Sequence, residues 1–243
     1  MERAKGELLY EGKAKKMFSV QGRPEEIWVE YKDSLTAFNA LKKSNFAGKG
    51  AINARITSLL YRKLGALGIK THFLADVNDH EMVCTKVKVI PLEVVTRNVL
   101  AGSTAKKLGI EEGTKIAEPL VEFYYKDDAL GDPFISDDQA MLLKAVEKRS
   151  DLDLLKRQAL EINSALKGLF LKAGLELIDF KLEFGRTSDG AIVLADEISP
   201  DTCRLWDTKT GEKLDKDRFR RDLGRVEESY QEVLSRLEKA EGL

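Results

Sequence analysis

The chain is poor in the residues on which many small catalytic sites are built. Its 243 residues include two histidines, His72 and His80, and two cysteines, Cys84 and Cys203. There is no H-E-x-x-H, no G-x-S-x-G and no pairing that resembles a nucleophilic triad, so the two histidines read as ordinary polar residues and the sequence argues against histidine-centred chemistry. The cysteines lack a C-x-x-C spacing and frame neither a disulfide scaffold nor a zinc site. No apolar run is long enough to span a bilayer, and Glu2, Arg3, Lys5 and Glu7 stand where a signal peptide would have its apolar core. A cytoplasmic location is expected. Net charge is missing too: 40 Lys and Arg against 41 Asp and Glu give −1, so no global field recruits nucleic acid or a membrane surface. Internal repeats, low-complexity segments and long linkers are absent. Carboxylates, lysines, arginines and a metal remain as the means of catalysis.

The densest chemistry lies in Leu177–Gly185, LIDFKLEFG, and Asp196–Asp201, DEISPD. Side chains alternate along a strand, so Asp179, Lys181 and Glu183 share one face while Ile178, Phe180, Leu182 and Phe184 share the other. Ser188–Asp189–Gly190 is hairpin chemistry. A turn with an even number of residues places Asp196 on the face of Lys181 and Glu183, and a one-residue bulge places it on the other. Two carboxylates converging beside a lysine suit Mg²⁺, a hard cation that shares its oxygen ligands with phosphates. A solvated strand face with cross-strand ion pairs fits the same pattern.

Two further segments carry charge in useful places. Gly12–Lys13–Ala14–Lys15 is a glycine-bearing turn between strands, where backbone amides and alternate lysines can meet phosphate oxygens. It is no Walker A motif, nor is Gly48–Lys49–Gly50. Asp179–Phe180 precedes Lys181 instead of glycine, and with no H-R-D element the kinase reading fails. In VIPLEVVTRNVLAGS, Val89–Ser103, Pro91 is expected to break the strand, and Arg97 and Ser103 flank the turn at Ala101–Gly102. Arg204 offers a second guanidinium fork for phosphate or carboxylate.

Short strands are expected at Leu8–Tyr10, Lys16–Val20, Ile27–Tyr31, Thr71–Ala75, Met82–Val89, Leu92–Asn98 and Leu120–Tyr125. Apolar residues with a 3.6-residue period predict helices over Ala51–Leu67, Asp151–Ala173 and Asp217–Glu238. Ser150 with Asp153 reads as a capping box for the second, and Gly68 and Gly174 read as stops. Strands and helices in blocks, without βαβ alternation, argue an α+β fold in two lobes: a β-rich lobe over 1–85 and an α+β lobe over 86–243, with the boundary near residues 80–92.

The segments LYEGKAKKMF, VIPLEVVTRNVLAGS, LIDFKLEFG and DEISPDTCRLWD resemble, in order, the motifs of the phosphoribosylaminoimidazole-succinocarboxamide synthase (SAICAR synthetase) family. KDDALGDP at Lys126–Pro133 and DKDRFRRDLG at Asp215–Gly224 resemble further family segments. The resemblance implies the two-lobed SAICAR-synthetase fold, with a nucleotide site between lobes related to those of ATP-grasp enzymes and kinases. It also implies an ATP-dependent C–N ligase of purine biosynthesis, joining L-aspartate to 5-amino-1-(5-phosphoribosyl)imidazole-4-carboxylate (CAIR) through an acyl phosphate. Glu183 and Asp196 would hold Mg²⁺. Gly12, Lys13, Ala14 and Lys15 would close on the ATP phosphates, Met82–Lys86 would lie along the adenine, and Lys126 and Asp132 would belong to a loop around nucleotide and aspartate. Lys181 would sit by the transferred phosphoryl. Arg97, Ser103 and Arg204 would hold the acidic groups of CAIR, and Asp179 and Asp201 its polar groups. A homodimer is implied. A phosphotransferase acting on a small acidic metabolite and a non-catalytic nucleotide-binding module are the competing readings.

Overall fold

The computed structural model describes residues 3–37 and 41–242. Glu2 and the outermost residues of the two expected lobes lie outside them. Strands β1 (Lys5–Glu11), β2 (Lys15–Val20) and β3 (Glu26–Tyr31) form an antiparallel meander, followed by the small hairpin β4 (Ser34–Ala37) and β5 (Lys42–Asn45). Helix α1 (Lys49–Ala66) comes next, then β6 (Phe73–Asp76) and β7 (Glu81–Thr85). The first sheet has the order β1-β2-β3-β7-β6.

The chain enters the second sheet at β8 (Lys88–Val99) and continues through α2 (Gly102–Leu108), β9 (Lys115–Tyr125), β10 (Phe134–Ile135) and α3 (Asp137–Leu142). Helix α4 (Arg149–Lys172), β11 (Leu175–Arg186), β12 (Ile192–Ala195), β13 (Cys203–Asp207), α5 (Asp217–Arg220) and α6 (Val226–Ala240) complete it. The order is β10-β9-β8-β11-β12, with β13 also paired to β11. Strand β11 is thus central, hydrogen-bonded to β8 on one side and to β12 and β13 in succession on the other.

The main core lies between this sheet and the helices. Leu155, Ile162 and Leu166 of α4 and Ile56 and Leu60 of α1 meet Leu92 and Val94 of β8 and Phe180, Leu182 and Phe184 of β11. Each such side chain, when fully buried, contributes roughly 1.5–3 kcal/mol. The apolar stripe expected on α4 is buried along its whole length. Gly68 and Gly174 take φ values of 85° and 71° just past the helices they end, a conformation that disfavours residues with a Cβ.

Four local expectations are corrected. Pro91 does not interrupt β8. It sits where Glu183 pairs with Glu93 but Gly185 pairs with Val89, so the ladder bulges and the missing proline N–H is not called on. Helix α4 is capped at Lys148 without a side-chain bond, and Ser150 lies inside it. A capping box does occur at α3, where Ser136 and Gln139 exchange bonds. The last helix is two: α5 ends at Arg220, and Asp222, Gly224 and Arg225 all take positive φ before α6 starts. Glycine at 224 is the signal that the periodicity of Phe219 and Leu223 concealed. Ile178 leaves the row of Phe180, Leu182 and Phe184 and packs with Val99, Ala101 and Trp206, because a bulge between Leu177 and Asp179 shifts the strand's alternation.

Candidate active site

On the polar face of β11, Lys181 donates to Glu93 of β8 at 2.7 Å and to Glu183, two residues along its own strand, at 3.0 Å. Lys126, at the end of β9, reaches the same Glu183 oxygen at 2.7 Å. Burial opposes the charge of Lys181, but Glu183, Glu93 and Asp196 hold its ammonium well above the ordinary lysine value. The acid–base–acid row is therefore a packed electrostatic cluster and not a solvated face.

Asp196 reaches this cluster by a route that strand parity does not describe. Arg186 pairs with Ile192 and Glu183 with Ala195, so the turn between β11 and β12 holds an odd number of residues and Ala195 takes the place opposite Glu183. Asp196 follows with φ 62°, the left-handed conformation that aspartate adopts more readily than most residues. Its carboxylate pairs with Lys15. Burial acts to raise it, yet Lys15, Lys181 and Lys126 hold it at about 2. Two carboxylates within the influence of the same lysines provide hard oxygen donors of the kind that Mg²⁺ shares with phosphate. Among the described residues no group of three or more carboxylates, histidines or cysteines is arranged to hold a metal ion.

Lys15 is buried. It touches Glu197 at 2.9 Å as well as Asp196, and it lies 5.0 Å from the centre of the Tyr31 ring. Lys13 stays exposed and meets Asp128 at 2.7 Å, which ties the glycine turn to the segment after β9. Gly12 closes its turn by donating to the Lys15 carbonyl, and Ala14 accepts from Lys32. In the opposing loop Asp132, at φ 49°, accepts from the Asp127 amide at 2.9 Å. Met82 is buried against Val29, Tyr31 and Cys84, while Lys86 is exposed at the passage from β7 to β8.

A cleft of about 260 Å³ opens beside Lys181 and is lined also by Arg97, Asp179, Asp201 and Arg204. Five of the residues singled out from sequence share one wall system. Asp179 receives Arg97 at 2.8 Å and Arg204 at 2.8 Å. Arg97 is further engaged by Glu122 at 2.7 Å and the Tyr124 hydroxyl at 3.2 Å. Arg204 gives Nε to Asp217 at 2.9 Å and turns Nη2 toward Gly102. A Cβ at Gly102 would stand 2.5 Å from that nitrogen, so glycine is what lets the start of α2 approach the guanidinium, and Ser103, the next residue, is exposed.

Asp201 is locked differently. Lys49 meets it at 2.5 Å, Asn53 donates at 3.1 Å and the Tyr230 hydroxyl at 2.7 Å. Sequence reasoning missed these partners, along with Glu93, Glu122, Glu197, Lys216, Asp217 and Arg220. Glu93 was accessible in principle, since it shares strand parity with Arg97. Lys49 and Tyr230 gave no signal, because a lysine beside glycines and a tyrosine in an apolar helical stripe carry no mark of their partner.

The same order of segments recurs in known proteins. A family model described as SAICAR synthetase matches residues 8–237. The chain belongs to the SAICAR synthetase family. It is 54% identical over 233 residues to the phosphoribosylaminoimidazole-succinocarboxamide synthase of Wolinella succinogenes, covering 96% of this chain and 98% of that one. It is 56% identical over 231 residues to that of Bacillus thuringiensis subsp. konkukian, covering 95% and 96%. Among solved structures, the synthase of Ehrlichia chaffeensis superposes with a TM-score of 0.92 at 44% identity, covering 95% of this chain and 98% of that chain. A SAICAR synthetase (Type-2) in complex with ADP superposes with a TM-score of 0.90 at 46% identity, covering 94% and 96%. The α+β fold is that of the SAICAR synthetases.

Proposed function

We propose that this cleft carries out the ATP-dependent ligation of L-aspartate to CAIR, giving SAICAR, ADP and phosphate, through an acyl phosphate. Membership of the SAICAR synthetase family makes the chain an ATP-dependent C–N ligase of purine biosynthesis. The observation that carries the site assignment is the meeting of Lys15, Lys126, Lys181, Glu183 and Asp196 in one charge cluster, with Lys15 and Glu183 buried, beside a cationic cleft.

A carboxylate does not acylate an amine directly, because its leaving group would be oxide. A CAIR carboxylate oxygen attacks the γ-phosphorus of ATP, and ADP departs. The neutral amine of aspartate then attacks the acyl carbon, phosphate leaves with the bonding pair, and the nitrogen loses a proton. Phosphoryl transfer depends mostly on positioning and on neutralising charge. Lys15, Lys126 and Lys181 supply that charge, and each exchanges a carboxylate partner for a phosphate oxygen when nucleotide enters. Glu183 and Asp196 are the residues that would hold Mg²⁺, which when bound neutralises phosphate charge between nucleotide and CAIR.

Gly12, Lys13 and Ala14 cover the phosphates, Met82–Lys86 follow the adenine between the sheets, and Lys126 and Asp132 shape the loop over nucleotide and aspartate. Arg204 meets the CAIR phosphate with the nitrogen that faces Gly102 and Ser103, and Arg97 joins it as Asp179 shifts toward the polar groups of the substrate. Asp201 closes the wall. The division into lobes at 1–85 and 86–243 follows the passage between the sheets. No described helix is long and apolar enough to cross a membrane, and a cytoplasmic homodimer completes the reading.

Incubation with CAIR, ATP, Mg²⁺ and aspartate, followed by mass spectrometry, tests it. SAICAR should form only with all four present. Phosphate release without aspartate would favour a phosphotransferase, and ATP binding without turnover a regulatory module.

A further inference from the structure

The buried Lys15 ammonium meets two carboxylates on adjacent residues, and the two are held in different ways. Asp196 follows β12 with a left-handed backbone, and its side chain is 23% exposed. Glu197 is only 5% exposed, and both its oxygens are engaged. One meets Lys15 at 2.9 Å, and the other accepts from the Ser199 hydroxyl at 2.7 Å. Ser199 is itself buried, and its hydroxyl oxygen accepts from the Asp201 amide at 3.1 Å. The Ser199 amide donates to the Thr202 hydroxyl at 3.1 Å, and Thr57 of α1 donates to the Ile198 carbonyl at 3.2 Å. Glu197 therefore sits in a braced segment with its carboxylate aimed at Lys15, while Asp196 is the more open of the two partners.

When nucleotide and metal bind, both members of the Lys15–Asp196 pair have to turn elsewhere: Lys15 to a phosphate oxygen and Asp196 to Mg²⁺. A buried ammonium stripped of its sole counter-charge is strongly destabilised, so a simple one-to-one pair would resist opening. Lys15 is not in that position. One ammonium between two carboxylates leaves an excess of negative charge, so Asp196 can pass to a divalent cation while Lys15 keeps a partner. Glu197 is unsuited to the exchange itself, because Lys15 and Ser199 already engage its two oxygens and its side chain is buried. We propose that Glu197 is a positioning residue, the standing partner of Lys15, which holds that ammonium in place and leaves Asp196 free for the metal. This assignment rests on the ligase reading of the cleft.

Calorimetric titration of ADP with and without Mg²⁺ tests it independently of turnover. Mg²⁺ should strengthen ADP binding in the wild type, and Glu197→Gln should cut that strengthening about tenfold, the scale of one charged hydrogen bond. ADP affinity without metal should not fall. Ser199→Ala keeps the charge and removes only the bond that fixes Glu197, so it should act in the same direction by a smaller factor. In steady-state kinetics the Mg²⁺ concentration for half-maximal rate should rise in both variants while the KM for aspartate holds. An ADP affinity lowered equally with and without Mg²⁺ would make Glu197 a general support of the nucleotide site and overturn the proposal. So would an unchanged Mg²⁺ effect in both variants. If Glu197→Gln does not fold, Ser199→Ala decides alone by the same outcomes. Wild-type turnover is measured first. Failure of the wild type to form SAICAR removes the ligase reading itself, whereas normal wild-type turnover with an unmoved Mg²⁺ effect in the variants removes only this assignment.

Discussion

The Lys15 ammonium donates to the Asp196 carboxylate across 181 positions of chain. That pair joins the start of β2 to the segment after β12, and so one sheet to the other. Both groups are held in their charged forms by each other against the effect of burial. The cluster around Lys181 and Glu183 extends from it.

Removing Lys15 should therefore differ from removing Lys13. Lys15→Ala leaves Asp196 and Glu197 without their shared buried cation, a change of about 3–5 kcal/mol in stability. Lys13→Ala breaks an exposed pair worth about 0–1 kcal/mol. Urea unfolding separates the two. Calorimetric titration should show ATP weakened more than CAIR in both, and equal losses for the two ligands would contradict the phosphate assignment.

The carboxylates proposed for the metal can be neutralised without changing shape. Asparagine tolerates the left-handed backbone at 196 about as well as aspartate, so Asp196→Asn isolates charge from conformation. Glu183→Gln does the same on β11. Turnover should fall by roughly two orders of magnitude or more in each, the scale of one strong electrostatic contact at a reacting group. Near-full activity of both variants at limiting Mg²⁺ would show that these oxygens are not metal ligands.

For the two arginines the expected effect is on CAIR. Arg97→Lys and Arg204→Lys keep the charge but lose the planar fork that spans Asp179 and its neighbours. The KM for CAIR should rise about ten- to hundredfold while that for ATP moves little. The dephosphorylated nucleoside of CAIR should lose little further in the Arg204 variant. A penalty equal to that on CAIR would place the guanidinium at the carboxylate end.

Stability against pH should show two opposing contributions. Burial pushes His72 down to about 4, so the unfolded chain binds the extra proton between there and the ordinary value near 6.5, and stability rises with pH across that window. Burial and the neighbouring Asp217 push Asp215 up to about 7, so the folded chain holds the extra proton from about pH 4 to 7, and stability falls as pH rises. Each slope is about 1.4 kcal/mol per pH unit, and in the wild type they largely cancel. Urea unfolding from pH 4 to 7 should show Asp215→Asn gaining on the wild type as pH rises and His72→Gln gaining as pH falls. Parallel profiles for all three proteins would rule out both assignments.

The sequence by itself determined the strands of the first meander, the apolar stripes of α1, α4 and α6, the acid–lysine–acid face of β11 and the order of segments that marks the family. These are local properties: alternation, a 3.6-residue period and glycine at a stop are set by neighbours along the chain. Tertiary structure alone decided which charges meet. The odd turn and left-handed Asp196, the bulge that lets Pro91 stay in β8, and the locking of Asp201 by Lys49 and Tyr230 depend on strands and helices distant in sequence. A side chain's partner across the fold is fixed by sheet register and helix packing, and one bulge is enough to change it.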